Sequence, residues 1–312
     1  MHTEIKRYFQ LQDLPFEQTP NLKFFCDFEL YRDALEAVIQ SLEKGEPIIK
    51  VIGEVGTGKT LLCRKLINAL DAKGVVTLYI HNPLLNTETL FRLIADELAI
   101  EHSSADVEYY LYKNITDKLL DYYHEGRRVV LLVDEAQTLS DASLETLRLL
   151  TNLESEHQKL ILIVFLAQPE LDERLALKKF RQLKQRIAFG VQLTSLQSHQ
   201  IAHYLQRRLI SAGHVTGDLF SPAASQILFD VSHGIPRVIN IIAYKALLAS
   251  YVQGKSSIDK EVMQSAILDS REAIASCSQK KPLFSLSKQD YALIALFLVA
   301  IATLFSFFLL IR

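Results

Sequence analysis

Cysteine is scarce in this chain. Cys26, Cys63 and Cys277 are scattered and share no metal-ligand spacing, which excludes a disulfide framework and reads as reduced thiols. A surplus of one charge is also missing. The formal net charge is −2, so contact with nucleic acid or anionic lipid would need a local patch. The opening MHTEIKRYFQ has no apolar stretch, and no signal peptide is expected. No internal repeat is visible. What remains is a chain of 312 residues, 49% hydrophobic and 22% charged, suited to one large α/β domain and a smaller one.

Long hydrophobic runs are absent until the end. Tyr291 to Ile311 reads YALIALFLVAIATLFSFFLLI without a charge. As a helix it would span about 31 Å, against about 30 Å of hydrocarbon, and is expected to cross a membrane. A core helix would need neighbours on every face. Lys280, Lys281 and Lys288 precede the run and only Arg312 follows, which favours a cytoplasmic body.

Residues 1–45 hold an aromatic-rich opening and a helical pattern through Leu30, Ala34, Leu35, Val38, Ile39 and Leu42. Five apolar runs follow: Ile48–Ile52, Val75–Ile80, Val129–Val133, Leu160–Leu166 and Ala188–Leu193. Runs of this kind between amphipathic helices predict a parallel sheet covered on both faces, over 46–194. Helical patterns then run over Leu196–Ser211, Pro222–Ser232, Pro236–Gln253 and Asp259–Ala275, a small helical domain over 195–275. Residues 276–290, rich in Ser and Lys, read as a linker to the 291–311 segment.

Between the first apolar run and the next helix lies Gly53-Glu54-Val55-Gly56-Thr57-Gly58-Lys59-Thr60, which fits G-x-x-x-x-G-K-[ST]. Glycines let such a backbone curl until its N–H groups converge on phosphate at a helix N-terminus. Lys59 would neutralise the β/γ oxygens, and the Thr60 hydroxyl would bind Mg²⁺ of Mg·ATP. Val129–Val133 then delivers Asp134 and Glu135 at a strand tip, where open α/β sheets bind ligands. Asp134 is expected to hold the Mg²⁺ through water, and Glu135 to polarise the attacking water. Val75–Ile80, between the two motifs, suggests the additional-strand class of P-loop ATPases, in which such a glutamate is the base.

Leu160–Leu166 ends in Ala167-Gln168-Pro169, followed later by Arg181-Gln182-Leu183-Lys184-Gln185-Arg186 and by Gly234-Ile235-Pro236-Arg237. In this order the motifs resemble an AAA+ ATPase with a core and a helical lid. That resemblance makes Gln168 a "sensor 1" residue, with a plain strand-ending turn as the other reading. It makes Arg186, then Arg181, a finger reaching a neighbouring subunit's ATP, with an exposed structural arginine as the other reading. It makes Arg237 a "sensor 2" residue on the γ-phosphate and implies a homo-oligomer. The opening Tyr8-Phe9, Leu14-Pro15-Phe16, Thr19-Pro20 and Phe24-Phe25, with GEVGTGKT, VDEAQ, AQPEL and QRI, narrows the resemblance to the ExeA/GspA family. Within it the pattern is most similar to the ATPases of MSHA-type type IV pilus biogenesis. The family usually carries Gly where Ala167 stands. Its ExeA-type members continue into a periplasmic peptidoglycan-binding domain, so wall remodelling by this chain is not expected. The implied partners are inner-membrane pilus or secretion components.

Three features have plainer readings. The aromatic opening is either an adenine-contacting segment or a hydrophobic strap. His81-Asn82 and His102 lack metal-ligand spacing. Tyr109, Tyr110, Tyr112, Tyr122 and Tyr123 sit in a helical stretch and suit packing better than base stacking. A DNA-remodelling ATPase and a nucleotide-dependent scaffold with slow hydrolysis are the competing functions. The membrane segment and near-neutral charge oppose the first.

Overall fold

The computed structural model describes residues 1–81, 87–103, 106–155 and 158–270. In chain order the helices are α1 (His2–Tyr8), α2 (Glu29–Glu43), α3 (Lys59–Asp71), α4 (Thr87–Glu97), α5 (Glu108–His124), α6 (Asp141–Leu150), α7 (Glu170–Leu175), α8 (Arg181–Arg186), α9 (Ser198–Ser211), α10 (Pro222–Ser232), α11 (Pro236–Val252) and α12 (Lys260–Asp269). The strands are β1 (Ile48–Gly53), β2 (Val76–Ile80), β3 (Val129–Val133), β4 (Leu162–Ala167) and β5 (Ile187–Leu193). All described elements after β5 are helical.

The five strands form one parallel sheet in the order β2-β3-β4-β1-β5. Every residue of β3 and β4 is buried, as their unbroken Val/Ile/Leu/Phe runs require of strands covered on both faces. The edge strands β2 and β5 are partly exposed. The strand that separates phosphate-loop strand β1 from carboxylate strand β3 is β4, while Val76–Ile80 lies outside β3 at the sheet edge. Sequence order alone does not give that arrangement, because parallel neighbours are joined by crossovers. The fourth strand also starts later than its apolar run. Leu160 N–H donates to Leu153 O, so Leu160 and Ile161 are buried before the ladder begins at Leu162.

The aromatic opening packs as a strap. Phe9, Leu14, Phe16 and Phe24 are buried, and Phe16 meets Phe220 edge-on at 5.8 Å. Gln12 N–H donates to Ala212 O and the buried Arg208 Nε to Pro15 O at 2.5 Å. Tyr112, Tyr122 and Tyr123 pack against the core, whereas Tyr109 and Tyr110 are exposed, against the packing expectation. Helical periodicity does not distinguish the buried tyrosines from those two, which begin α5 next to its exposed N-cap Val107. Cys26 and Cys63 are free and buried; burial pushes the Cys26 thiol up to about 11. Among the described residues no helix is long and apolar enough to cross a membrane. Cys277, the 276–290 linker and the 291–311 segment lie outside the described residues.

Helix α11 is seated by Gly234, whose φ is +74° and whose backbone lies against the exit from the sheet. Leu196 N–H donates to Gly234 O at 2.9 Å, and a Cβ at Gly234 would stand 1.9 Å from Leu196 O. Left-handed strain of about 1–2 kcal/mol adds to overpacking of about 1–3 kcal/mol. Gly234→Ala should therefore lower the thermal midpoint by roughly 5–15 °C, read in a melt beside the wild type. An unchanged midpoint would contradict this seating of α11.

Candidate nucleotide-binding site

The loop from β1 to α3 is held from three sides. Within it, Thr57 Oγ1 donates to Glu54 O at 2.9 Å. From α2, the buried Tyr31 hydroxyl donates to Thr57 O at 2.6 Å. From α11, Arg237 N–H donates to Gly56 O at 3.2 Å. Gly56 has φ +83°, and a Cβ there would stand 2.6 Å from the Arg237 Cβ. Only a residue without a side chain lets the loop and the first turn of α11 approach so closely. The N-terminal turn of α3 then faces a cavity of about 290 Å³. Val55, Gly56, Gly58, Lys59, Thr60, Glu135, Pro236, Arg237 and Asn240 line it, with residues 17–21 of the strap.

Lys59 is 5% exposed, and its ammonium donates to Gly53 O at 2.7 Å and Glu54 O at 3.0 Å. Burial pulls its pKa below the ordinary lysine value, opposed by the nearby charges of Glu135 and Asp134. A cation in such a setting gains most from an incoming anion. Asp134 is fully buried at the tip of β3. Its Oδ2 accepts from Thr60 Oγ1 at 3.0 Å and from the Tyr79 hydroxyl at 3.2 Å, and its Oδ1 from Glu135 N–H at 3.0 Å. The Thr60–Asp134 pair is an all-oxygen donor set, the kind that suits Mg²⁺ shared with substrate phosphates. Among the described residues no group of three His, Cys, Asp or Glu could hold a metal by itself. His81 Nδ1 lies 3.1 Å from the Tyr79 hydroxyl, and His102 pairs with Asp96. Asn82 lies outside the described residues.

Glu135 occupies the left-handed region at φ +53°, unusual for a residue with a side chain. Its Oε2 accepts from Gln168 Nε2 at 2.9 Å and from Gln137 Nε2 at 2.5 Å. Gln137 Oε1 accepts in turn from Gln168 N–H at 3.0 Å. Gln168, at the end of β4, thus meets the carboxylate of Glu135. Arg174 holds the same turn from α7 through Gln137 O and Leu139 O, at 2.7 and 2.8 Å.

The phosphate-loop residues, Asp134, Glu135, Gln168 and Arg237 thus come together around one site. Arg186 and Arg181 do not join it. Arg186 donates to Thr151 O and to the Asn152 side chain, and Arg181 is exposed at the start of α8. The sequence reading missed Tyr31, Tyr79, Gln137 and Arg174. Of these only Gln137 carried a local signal, two residues beyond Glu135.

Residues 42–175 match the family model of an AAA domain. The chain is 38% identical to general secretion pathway protein A of Aeromonas hydrophila over 252 residues. That match covers 81% of this chain and 46% of the relative, so the chain spans under half the length of the curated relative it matches. Among solved structures, ORC2 of Aeropyrum pernix superimposes with a TM-score of 0.61 at 18% identity, covering 80% of this chain and 72% of that one. Cdc6p of Pyrobaculum aerophilum gives 0.62 at 18% identity, covering 79% and 70%. At these identities the structural likeness shows the fold. The loop geometry, the carboxylates at the β3 tip and the extended identity lead to one conclusion: the chain carries an AAA domain and is similar, over most of its own length, to general secretion pathway protein A.

Proposed function

We propose that this chain hydrolyses ATP and uses the cycle to assemble a secretion or pilus apparatus at the bacterial inner membrane. One observation carries the chemistry. A buried lysine, a hydroxyl–carboxylate pair and a glutamate held by two amides line or border a single cavity at a helix N-terminus. Lys59 exchanges its loop carbonyls for the β/γ oxygens of ATP. Thr60 and Asp134 would hold Mg²⁺, which would neutralise charge developing on the phosphates. Glu135 accepts a proton from the attacking water. Among the described residues both side-chain bonds to Glu135 fall on its Oε2, which leaves Oε1 for that water. Arg237, in the first turn of α11, reaches toward the γ-phosphate.

Oligomerisation is part of the proposal, with Arg186, or else Arg181, serving a neighbouring copy's ATP. Mixing Arg186→Ala with Lys59→Ala protein should recover part of the lost activity, since an intact Lys59 site can then receive an intact Arg186. Demonstrated co-assembly without recovery would count against Arg186 acting in trans.

The membrane part rests on residues 291–311, on the lysines before them and on the name of the Aeromonas relative. The MSHA-type pilus is the finer reading and rests on the motif resemblance alone. Truncation after Asp290 should release a soluble ATPase, while the full chain requires detergent. Truncated protein that still pellets with membranes at high salt would overturn the anchor.

A further inference from the structure

We propose that Asn240 is a specificity-determining residue, donating from its side-chain amide to a ring-nitrogen acceptor on the base of the bound nucleotide. This rests on reading the cavity as a nucleoside triphosphate site.

A chain of hydrogen bonds leading to Asn240 has its direction fixed at one end. A guanidinium only donates. Arg208, buried with its guanidinium carbon 5.1 Å from the Phe24 ring, donates from Nη1 to the Tyr204 hydroxyl at 3.1 Å. Tyr204 has a single proton, and because its oxygen already accepts from Arg208, that proton goes onward to Asn240 Oδ1 at 2.9 Å. The amide oxygen is thus committed, and the amide cannot be flipped without placing donor against donor. Its nitrogen, with two N–H groups, has no hydrogen-bond partner among the described residues, although Asn240 is only 9% exposed. Asn240 lines the cavity together with Lys59 and Thr60.

Position supports an acceptor beyond the phosphates. Asn240 lies one turn after Arg237 on α11, on the helix face that lines the cavity. Pro20, Leu61, Tyr204 and Pro236 border the same space. Apolar surfaces beside an oriented amide donor suit the faces and edge of a planar base better than they suit a charged phosphate. A site built to hydrogen-bond an acceptor discriminates against a ligand that lacks it.

The test titrates the full chain in detergent with Mg·ATP, with 1-deaza-, 3-deaza- and 7-deaza-ATP, and with inorganic tripolyphosphate. Asn240→Ala should weaken ATP by about 3- to 10-fold and leave tripolyphosphate unchanged. One deaza analogue should bind the wild type more weakly than ATP by a similar factor, yet bind Asn240→Ala as tightly as ATP does. Equal losses for ATP and tripolyphosphate would overturn the proposal, because they would mark a structural role. So would a wild type that binds all three analogues as tightly as ATP, a result that needs no variant to fold. Lys59→Ala separates the two levels. If it leaves both ATP and tripolyphosphate binding intact, the site reading itself fails. If it abolishes them while Asn240→Ala changes neither, only the Asn240 proposal fails.

Discussion

Lys59→Ala should lower ATP affinity at least about 100-fold, measured by direct titration of the purified protein. The ammonium is buried at the base of the phosphate loop, where it donates to Gly53 O and Glu54 O. When phosphate enters, those two bonds become charge-assisted bonds to β/γ oxygens. Each such bond contributes about 1.5–3 kcal/mol, and two together correspond to roughly 10²- to 10⁴-fold in affinity. The alanine variant loses that attraction and leaves Glu135 and Asp134 without the nearby positive charge that offsets them. Arg237 cannot substitute, because it stands on α11, across the loop at Gly56, rather than beneath the phosphates. Unchanged affinity would remove the phosphate-loop assignment.

Glu135→Gln should keep ATP binding within a few-fold of wild type and lose about 10²- to 10⁴-fold in turnover, the range expected of general-base catalysis. The amide has nearly the same shape as the carboxylate but does not accept the water's proton. It also sets an N–H or a carbonyl against Gln137 and Gln168, which both donate to Oε2 in the native arrangement. Two outcomes are therefore separable. A fall in turnover with affinity kept marks loss of the base. A fall in both would mean that the turn at φ +53° had rearranged and disturbed the neighbouring Asp134. Wild-type turnover in this variant would move the base elsewhere.

Local pattern carried much of the site. The phosphate loop is legible because eight consecutive residues do one task between an apolar run and a helix. Asp134 and Glu135 are legible because a fully apolar strand leading straight into two carboxylates has few other uses. Pro236 and the helix it opens were equally local. Other features depend on which elements become neighbours, and no short window contains that information. The insertion of β4 between β1 and β3 is set by crossover connections. The contact of Gln168 with Glu135 joins two strand tips, and Tyr31 reaches Thr57 from α2. The chain from Arg208 through Tyr204 to Asn240 joins α9 to α11, while Arg208 also clamps Pro15 of the strap. The aromatic opening looked like two competing things, a packing strap or part of the ligand site. Folded, its rings pack and residues 17–21 border the cavity.

The central claim is that one cavity binds ATP through Lys59 and turns it over through Glu135. The most direct measurement is the nucleotide that co-purifies with each protein, identified and counted per protein chain after denaturation. Glu135→Gln protein loaded with Mg·ATP and freed of excess should retain ATP itself, close to one per chain. Wild-type protein treated alike should hold mostly ADP, and Lys59→Ala almost nothing. ADP in the Glu135→Gln protein at the wild-type level, or ATP retained by Lys59→Ala, would contradict the account.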